Sequence, residues 1–566
     1  MRRILREAFV SLDLFLKWVF VRLDSWAGGL ILLGVSFLLG LTKLFYWQFV
    51  DEGNNLVYGW LISRGLVIYR DVFSQHFPLA YFWTAGVVSI FGNSQAIARI
   101  SILVLQFVVF AYCMRVTRFY LPIGITALAW GLTSQFHRGN LVLYDTFDGI
   151  FLTAAAILVF SILLERSQVK QSMLIVIGLL LGCTMLSNPL LIYPSAIAIA
   201  GIGLSVIGLA WKQAWRESLR RIVWVALSIG VVVGAFGLYL LITGAGPDFY
   251  RDVIWFNANV YNQYTDANPV RLGVIVYQLT HALNVFAPQF RQTISPFVGF
   301  EVANYRLADE GLYYSWIFSS LTFRLSILLC AVSLLLHRKV LPAVFLYVFS
   351  ATLLIRAETS WHTIPFIWLS LFAGAYVLVK MTSPPASWTT IPDQASSWKS
   401  RLAWLGRFSW RAVYFILLVL YSWSAIRGGQ FLIQNRRVWF NRDYLHELTV
   451  FGGKVRQLAC DQPDVELLVY PYDPLTYFVT EIPPASRYTF MHPWVAQIAL
   501  QEVIEELKNN PSAVVQINTK RTIWGEYRVK DYMADLIQFL NQNYTKVSDR
   551  LWKSPELTQR CGANPP

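Results

Sequence analysis

The sequence predicts an α-helical polytopic membrane protein of about eleven transmembrane helices with juxtamembrane helices, followed by an extracytoplasmic α/β domain. Three observations predict it. Of 566 residues, 56% are hydrophobic and only 14% charged, with a mean hydropathy of +0.47, which soluble domains of this length do not reach. Apolar runs of spanning length recur up to residue 427. Beyond residue 430 the charges rise and the long apolar runs stop.

The start, "MRRILREAFVSLDLFLKWVFVRLDSW", mixes bulky apolar residues with Arg2, Arg3, Arg6, Lys17 and Arg22. It reads as an amphipathic cytoplasmic segment over 1–26 leading into a signal-anchor span, with no cleavable signal peptide. Spans are expected near 27–48, 95–114, 119–135, 149–164, 172–187, 189–210 and 222–243. They resume near 316–336, 340–355, 362–380 and 410–427. Ser187-Asn188-Pro189 divides a continuous apolar stretch as a tight turn. The segment 78–92 is short of the roughly 20 residues that a span needs.

Charge places that segment. The flanks at Arg115/Arg118, Arg166/Lys170, Lys212 to Arg221, Arg338/Lys339 and Lys380 to Arg411 are basic, and basic loops stay cytoplasmic. This pattern holds, with the N-terminus inside, if 78–92 lies along the outer surface. Outside are then 49–93, 136–148, 244–315, 356–361 and the C-terminal region. The membrane domain covers 27–429 and the α/β domain 430–566. In the latter, "ELLVY" and "AVVQI" read as strands, and 494–508 and 528–542 as helices.

The net charge of +14 fits basic cytoplasmic loops and anionic membrane lipids, not nucleic acid. Five cysteines are scattered without metal-ligand spacing. Cys113, Cys183 and Cys330 lie in apolar runs as small hydrophobes. Cys460 and Cys561 can pair if their region is extracytoplasmic.

Polar residues with chemical potential gather on the expected outer side. They include Asp51, Glu52, Asn54, Tyr69, Arg70, Asp71 and His76 in the first loop, and Asp145 and Asp148 in the second. The long loop adds Asp248, Arg251 and Asp252, and "IRAETSWHTIP" adds Arg356 and His362. Arg99 lies near the outer end of one span and Arg324 inside another, where an arginine is a functional candidate by default. The other reading of Asp51 and Glu52 is a solvated helix end whose acids favour the helix N-terminus.

"DEGNNLVYGWLISRGLVIYRDVFSQHFPLAYFWTAGVVSIFG" resembles the first outer loop of GT-C membrane glycosyltransferases, in the bacterial branch of protein O-mannosyltransferases and lipid A aminoarabinose transferases. The matching positions are Asp51-Glu52, Gly65, Tyr69-Arg70-Asp71, Phe73, His76, Pro78-Leu79, Tyr81 and Phe91-Gly92. The likeness continues in "YDTFDG", in Arg356, His362 and Pro365, and in "VYPYDPLTYFVTEIPPASRY". It implies a GT-C-like fold in the bacterial inner membrane. It also implies a polyprenyl-phosphate-linked sugar donor and a lipid, glycan or protein acceptor. Asp51 is then the general base, with Glu52 and Asp145 beside it. A phosphate leaving group needs cations rather than an acid. His76, Arg99, Arg324, Arg356 and His362 are the candidates for that contact, and Tyr69, Arg70 and Asp148 for the substrate. No cofactor is expected, and a divalent metal is left open. Where aminoarabinose transferases carry a lysine before Pro-Pro-Leu, this chain reads His76-Phe77-Pro78-Leu79.

Plainer readings stand beside these. His76 can anchor at the interface, Asp145 and Asp148 can cap a helix, Arg324 can snorkel, and His362 can belong to a helix entry. A transporter or flippase of lipid-linked saccharides would also collect charge along a membrane path. Its polar residues would sit at mid-membrane in two related halves, which this sequence lacks. A non-catalytic scaffold leaves the acid-rich outer loops unexplained.

Overall fold

The architecture is taken from a computed structural model. It describes residues 22–45, 50–133, 144–165, 169–188, 191–206, 211–264, 324–353, 364–381, 442–523 and 525–561, with single positions at 142, 416, 417, 419, 422 and 426. The first helix, α1 (Trp26–Leu41), starts at an N-cap where Ser25 Oγ accepts from the Gly28 N–H. It tightens into a 3₁₀ turn over Thr42–Phe45. Two shorter helices follow, α2 (Val50–Ser63) and α3 (Leu79–Phe91). At a rise of about 1.5 Å per residue, α3 is only about 20 Å long, less than the hydrocarbon thickness. It packs along α2.

The apolar bundle continues with α4 (Gln95–Thr117), α5 (Tyr120–Thr133), α6 (Tyr144–Glu165), α7 (Gln171–Ser187), α8 (Ile192–Leu204) and α9 (Trp211–Thr243). It resumes with α10 (Arg324–Leu336), α11 (Val340–Leu353) and α12 (Ile364–Lys380). The apolar runs of the sequence thus fold as helices at these places, and Asn188 ends α7 in extended backbone. Four described helices are long and apolar enough to cross a membrane, within 26–44, 95–117, 146–165 and 213–243. The chain is a multi-pass membrane protein.

Helix α6 is apolar on every side and is buried on every side, as such a helix must be. Around it stand α4, α7, α8, α11 and α12. Within the bundle Trp368 stacks on Phe110 at 4.7 Å and meets Trp130 at 4.8 Å. The outer helix α9 behaves oppositely. Leu241 and Ile242 are 79% and 75% exposed, a surface suited to lipid.

After α9 a helical run covers 246–263, with a π turn over Tyr250–Trp255. The C-terminal domain opens with α13 (Arg442–Leu458) and strand β1 (Glu466–Tyr470). Next come α14 (Leu475–Thr480), α15 (Pro493–Lys508) and β2 (Ala513–Ile517). The short pair β3 (Thr522–Ile523) and β4 (Tyr527–Arg528) precedes α16 (Ala534–Asn543). Strands β5 (Thr545–Ser548) and β6 (Leu551–Lys553) and helix α17 (Pro555–Cys561) close the chain. The main sheet has the order β1-β2-β6-β5. Its β1–β2 pair is parallel, Glu466 opposite Ala513 and Tyr470 opposite Ile517, and the other pairs are antiparallel.

"ELLVY" and "AVVQI" are therefore strands, apolar but for Glu466 and Gln516 because both faces are covered. Alternate residues of β1 feed two cores. Leu467 and Val469 pack with α13 and α14, continuous with the bundle core. Leu468 and Tyr470 pack with α15 and α16. Cys460 and Cys561 are joined by a disulfide with Cα atoms 5.8 Å apart.

Candidate active site

Helix α2 organises the candidate site. Asp51, Asn54 and Tyr58 fall at i, i+3 and i+7 and share one face, and the C-terminal domain covers that face. The Tyr472 hydroxyl donates to Asp51 Oδ1 at 2.8 Å and accepts from Asn54 Nδ2 at 2.9 Å. Further along, Thr489 Oγ1 and the Tyr58 hydroxyl lie 3.1 Å apart. Helix α14 also packs on α2.

Glu52 points elsewhere, into the bundle. Arg99 of α4 grips it with a two-pronged fork, Nε to Oε1 at 2.9 Å and Nη2 to Oε2 at 2.6 Å. Both side chains are almost fully buried. The remaining guanidinium nitrogen donates to the Lys43 and Leu44 carbonyls at 3.1 and 2.8 Å. The Val142 N–H donates to Glu52 Oε1 at 3.3 Å. Removing one partner of such a buried pair costs about 3–5 kcal/mol, because the other charge is stranded. Arg99 and Glu52 therefore lock α1, α2 and α4 together at one end.

The stretch between α2 and α3 is a rigid corner. Tyr69 is fully buried in left-handed backbone at φ 73°, which costs a non-glycine residue about 1–3 kcal/mol. Three bonds hold it there. Its N–H donates to the Val72 carbonyl at 2.8 Å, and its hydroxyl to the His76 carbonyl at 3.0 Å. Its own carbonyl accepts from Arg487 of the C-terminal domain at 2.5 Å. Arg70 turns outward to Asp71 at 2.8 Å and to the Thr243 carbonyl at 3.1 Å. The Arg70 guanidinium holds the Asp71 carboxyl below its usual range. His76 is half-buried, and its N–H donates to Ser74 Oγ at 3.2 Å.

A second buried carboxylate joins this corner to the π turn. Asp252 is 1% exposed and accepts from Arg251 at 2.8 Å and from Arg487. Burial raises its carboxyl above the ordinary range, against the pull of the two guanidiniums. Arg487 thus ties three pieces of chain through Tyr69, Asp252 and its own carbonyl, which accepts from the Phe73 N–H at 2.9 Å.

The other expected site residues are distributed as follows. Asp148 is buried on α6, and Asp145 falls in the first turn of the same helix. Arg324 opens α10 and is half-buried. Arg356 and His362 lie outside the described residues. Asp51 meets Tyr472 of the C-terminal domain, and Glu52 and Arg99 pair inside the bundle. Tyr69 and His76 are joined in the corner between α2 and α3, with Arg70 facing outward beside them.

Sequence reasoning passed over several participants. Tyr472 and Arg487 were visible only inside the quoted "VYPYDPLTYFVTEIPPASRY". Lys43 is 3% exposed, with its ammonium 5.7 Å from the Trp130 ring. A lysine at the end of an apolar run is itself a signal. His492 stacks between Tyr472 and Trp494, with ring centroids 4.6 Å away on each side. Its Nδ1 has no hydrogen-bond partner among the described residues. Burial, with help from the Arg521 charge, pushes this imidazole down to about 3, so it is neutral at physiological pH. Among the described residues no group of three histidine, cysteine or carboxylate side chains could hold a metal ion.

The fold has a solved counterpart. The chain is similar to ArnT from Cupriavidus metallidurans in its apo state, at 14% identity and a TM-score of 0.50. The match covers 92% of this chain and 96% of that one. The chain has an ArnT-like fold. The ArnT structure bound to undecaprenyl phosphate matches with the same coverage at 12% identity and a TM-score of 0.49. The archaeal oligosaccharyltransferase AglB from Archaeoglobus fulgidus, in complex with an inhibitory peptide and a dolichol-phosphate, matches at 12% identity and a TM-score of 0.38. That match covers 86% of this chain and 69% of AglB. No family model matches the sequence, and no curated protein matches it. The ArnT-like fold therefore spans both the helical bundle and the C-terminal domain.

Proposed function

We propose that the protein is a membrane glycosyltransferase. It moves a sugar from a polyprenyl-phosphate donor to a hydroxyl acceptor at the extracytoplasmic face, with Asp51 as general base. One observation carries the reading: an acid on the first turn of α2 is held by a phenol from the C-terminal domain, within an ArnT-like fold. ArnT binds undecaprenyl phosphate in one of its structures, and we carry that lipid class over as the donor. The Cys460–Cys561 disulfide favours an oxidising compartment for the C-terminal domain, consistent with the basic flanks on the opposite side.

In this reaction Asp51 takes the acceptor hydroxyl proton as the acceptor oxygen bonds to the anomeric carbon. The bond from that carbon to the phosphate oxygen breaks, and the polyprenyl phosphate departs with the electron pair. A single displacement of this kind inverts the anomeric centre. The leaving phosphate needs positive charge, for which His76 and Arg324, with Arg356 and His362, are assigned. Arg99 acts on the site through Glu52, and Tyr69 and Arg70 through the corner that they build. Asp145 and Asp148 are assigned to the acceptor side.

Substituting Asp51→Asn keeps the shape and removes the base. Sugar transfer is expected to fall by about 10²–10⁴-fold, with undecaprenyl phosphate binding unchanged. The assay follows release of undecaprenyl phosphate from a panel of undecaprenyl-phosphate sugars, by mass spectrometry. Full transfer by this variant would sink the assignment.

A further inference from the structure

We infer that Tyr472 is a positioning residue for Asp51, so that the C-terminal domain sets the acid used in transfer. This rests on the general-base reading of Asp51. The phenol lies between two groups of α2, and their chemistry fixes its proton. The Asn54 amide nitrogen can only donate, so the hydroxyl accepts there, at 2.9 Å. The phenolic proton is then directed to Asp51 Oδ1, at 2.8 Å. A hydrogen bond to a carboxylate is stronger than one between neutral groups. It fixes the plane of the carboxylate relative to the helix.

The ring that carries this hydroxyl cannot swing away. Tyr472 is 5% exposed, lies against the His492 ring at 4.6 Å and meets the Phe490 ring edge-on at 5.5 Å. Its carbonyl accepts from Arg521 at 3.0 Å. It directly follows Pro471, at the exit of β1. A sheet strand, an arginine and two rings from one domain thus aim one hydroxyl at an acid on another. Tyr470 supplies the contrast. Its buried hydroxyl donates to the Tyr488 carbonyl at 2.8 Å, within the C-terminal domain.

The experiment uses full-length protein in lipid nanodiscs and the undecaprenyl-phosphate sugar panel. Tyr472→Phe keeps both ring contacts and is expected to lower kcat by about 10-fold or more, with donor KM within about twofold. Tyr470→Phe is expected to lower the thermal unfolding midpoint and leave kcat within about twofold. Asn54→Ala frees the phenol to rotate and is expected to lower kcat several-fold at constant KM. It carries the test if the Tyr472 variant fails to fold. Native kcat in Tyr472→Phe, or in Asn54→Ala when it stands in, overturns the inference. So does parallel loss of activity and stability in both tyrosine variants. Loss of activity in Asp51→Asn with native kcat in Tyr472→Phe defeats this inference alone. Native activity in Asp51→Asn defeats the general-base reading and the inference with it.

Discussion

Asp51 and Glu52 are adjacent in sequence but about 100° apart around α2, and their carboxylates meet opposite surroundings. Glu52 is 1% exposed and clamped by Arg99, an arrangement suited to holding helices together. Asp51 is less deeply buried and accepts a hydrogen bond from the Tyr472 hydroxyl of the C-terminal domain. Next to that contact, His492 offers a pH test. Its ordinary value is 6.5 and its folded value about 3. Between these, the unfolded chain binds a proton that the folded chain does not, so stability falls as pH drops below 6.5. The loss reaches up to about 1.4 kcal/mol per pH unit. His492→Phe preserves the stack on Tyr472 and Trp494 and is expected to flatten this dependence. Denaturant unfolding of the full chain at pH 7 and pH 5 measures it, and an unchanged slope in the Phe variant would assign the effect to another group.

Element by element, strong periodicity was readable and compact corners were not. The two buried strands β1 and β2 and the helix α15 follow directly from apolar runs and 3.6-residue spacing. The helix expected over 528–542 is broken near Met533 into Val529–Tyr532 and α16. Strands β5 and β6 went unread because they are short and carry Lys546 and Lys553 among their few residues. In the segment 49–93 the motif residues were legible, yet the 14-residue helix α2 was not. Its polar Asp-Glu-Gly-Asn-Asn start hides an apolar face. That helix depends on close approach to α3. A side chain on Gly59 would run into Thr84, so Gly59→Val is expected to cost about 1–3 kcal/mol by overpacking. It would also tilt α2 and reduce transfer. Thermal unfolding with the transfer assay checks this, and a native midpoint would show that α3 can yield.

For the whole molecule, the disulfide closes a long loop, since Cys460 and Cys561 are 101 residues apart. Replacing both cysteines with serine is expected to lower the stability of the C-terminal domain by about 2–5 kcal/mol. Urea unfolding read by tryptophan fluorescence gives the value, and an unchanged midpoint would mean that packing alone holds the domain. The site was half legible in the same sense. Asp51 and His76 stood out by residue type, but Tyr472 and Arg487 gain meaning only when distant segments meet, 421 residues apart for Tyr472 and Asp51. That meeting bears on how the protein can be divided. A cut near residue 430, where the composition changes, leaves the carboxylate on one fragment and the phenol that aims it on the other. The two parts are not interchangeable modules. A hybrid built by exchanging the C-terminal domain inherits a working acid only if the incoming domain brings its own hydroxyl to the same point above α2.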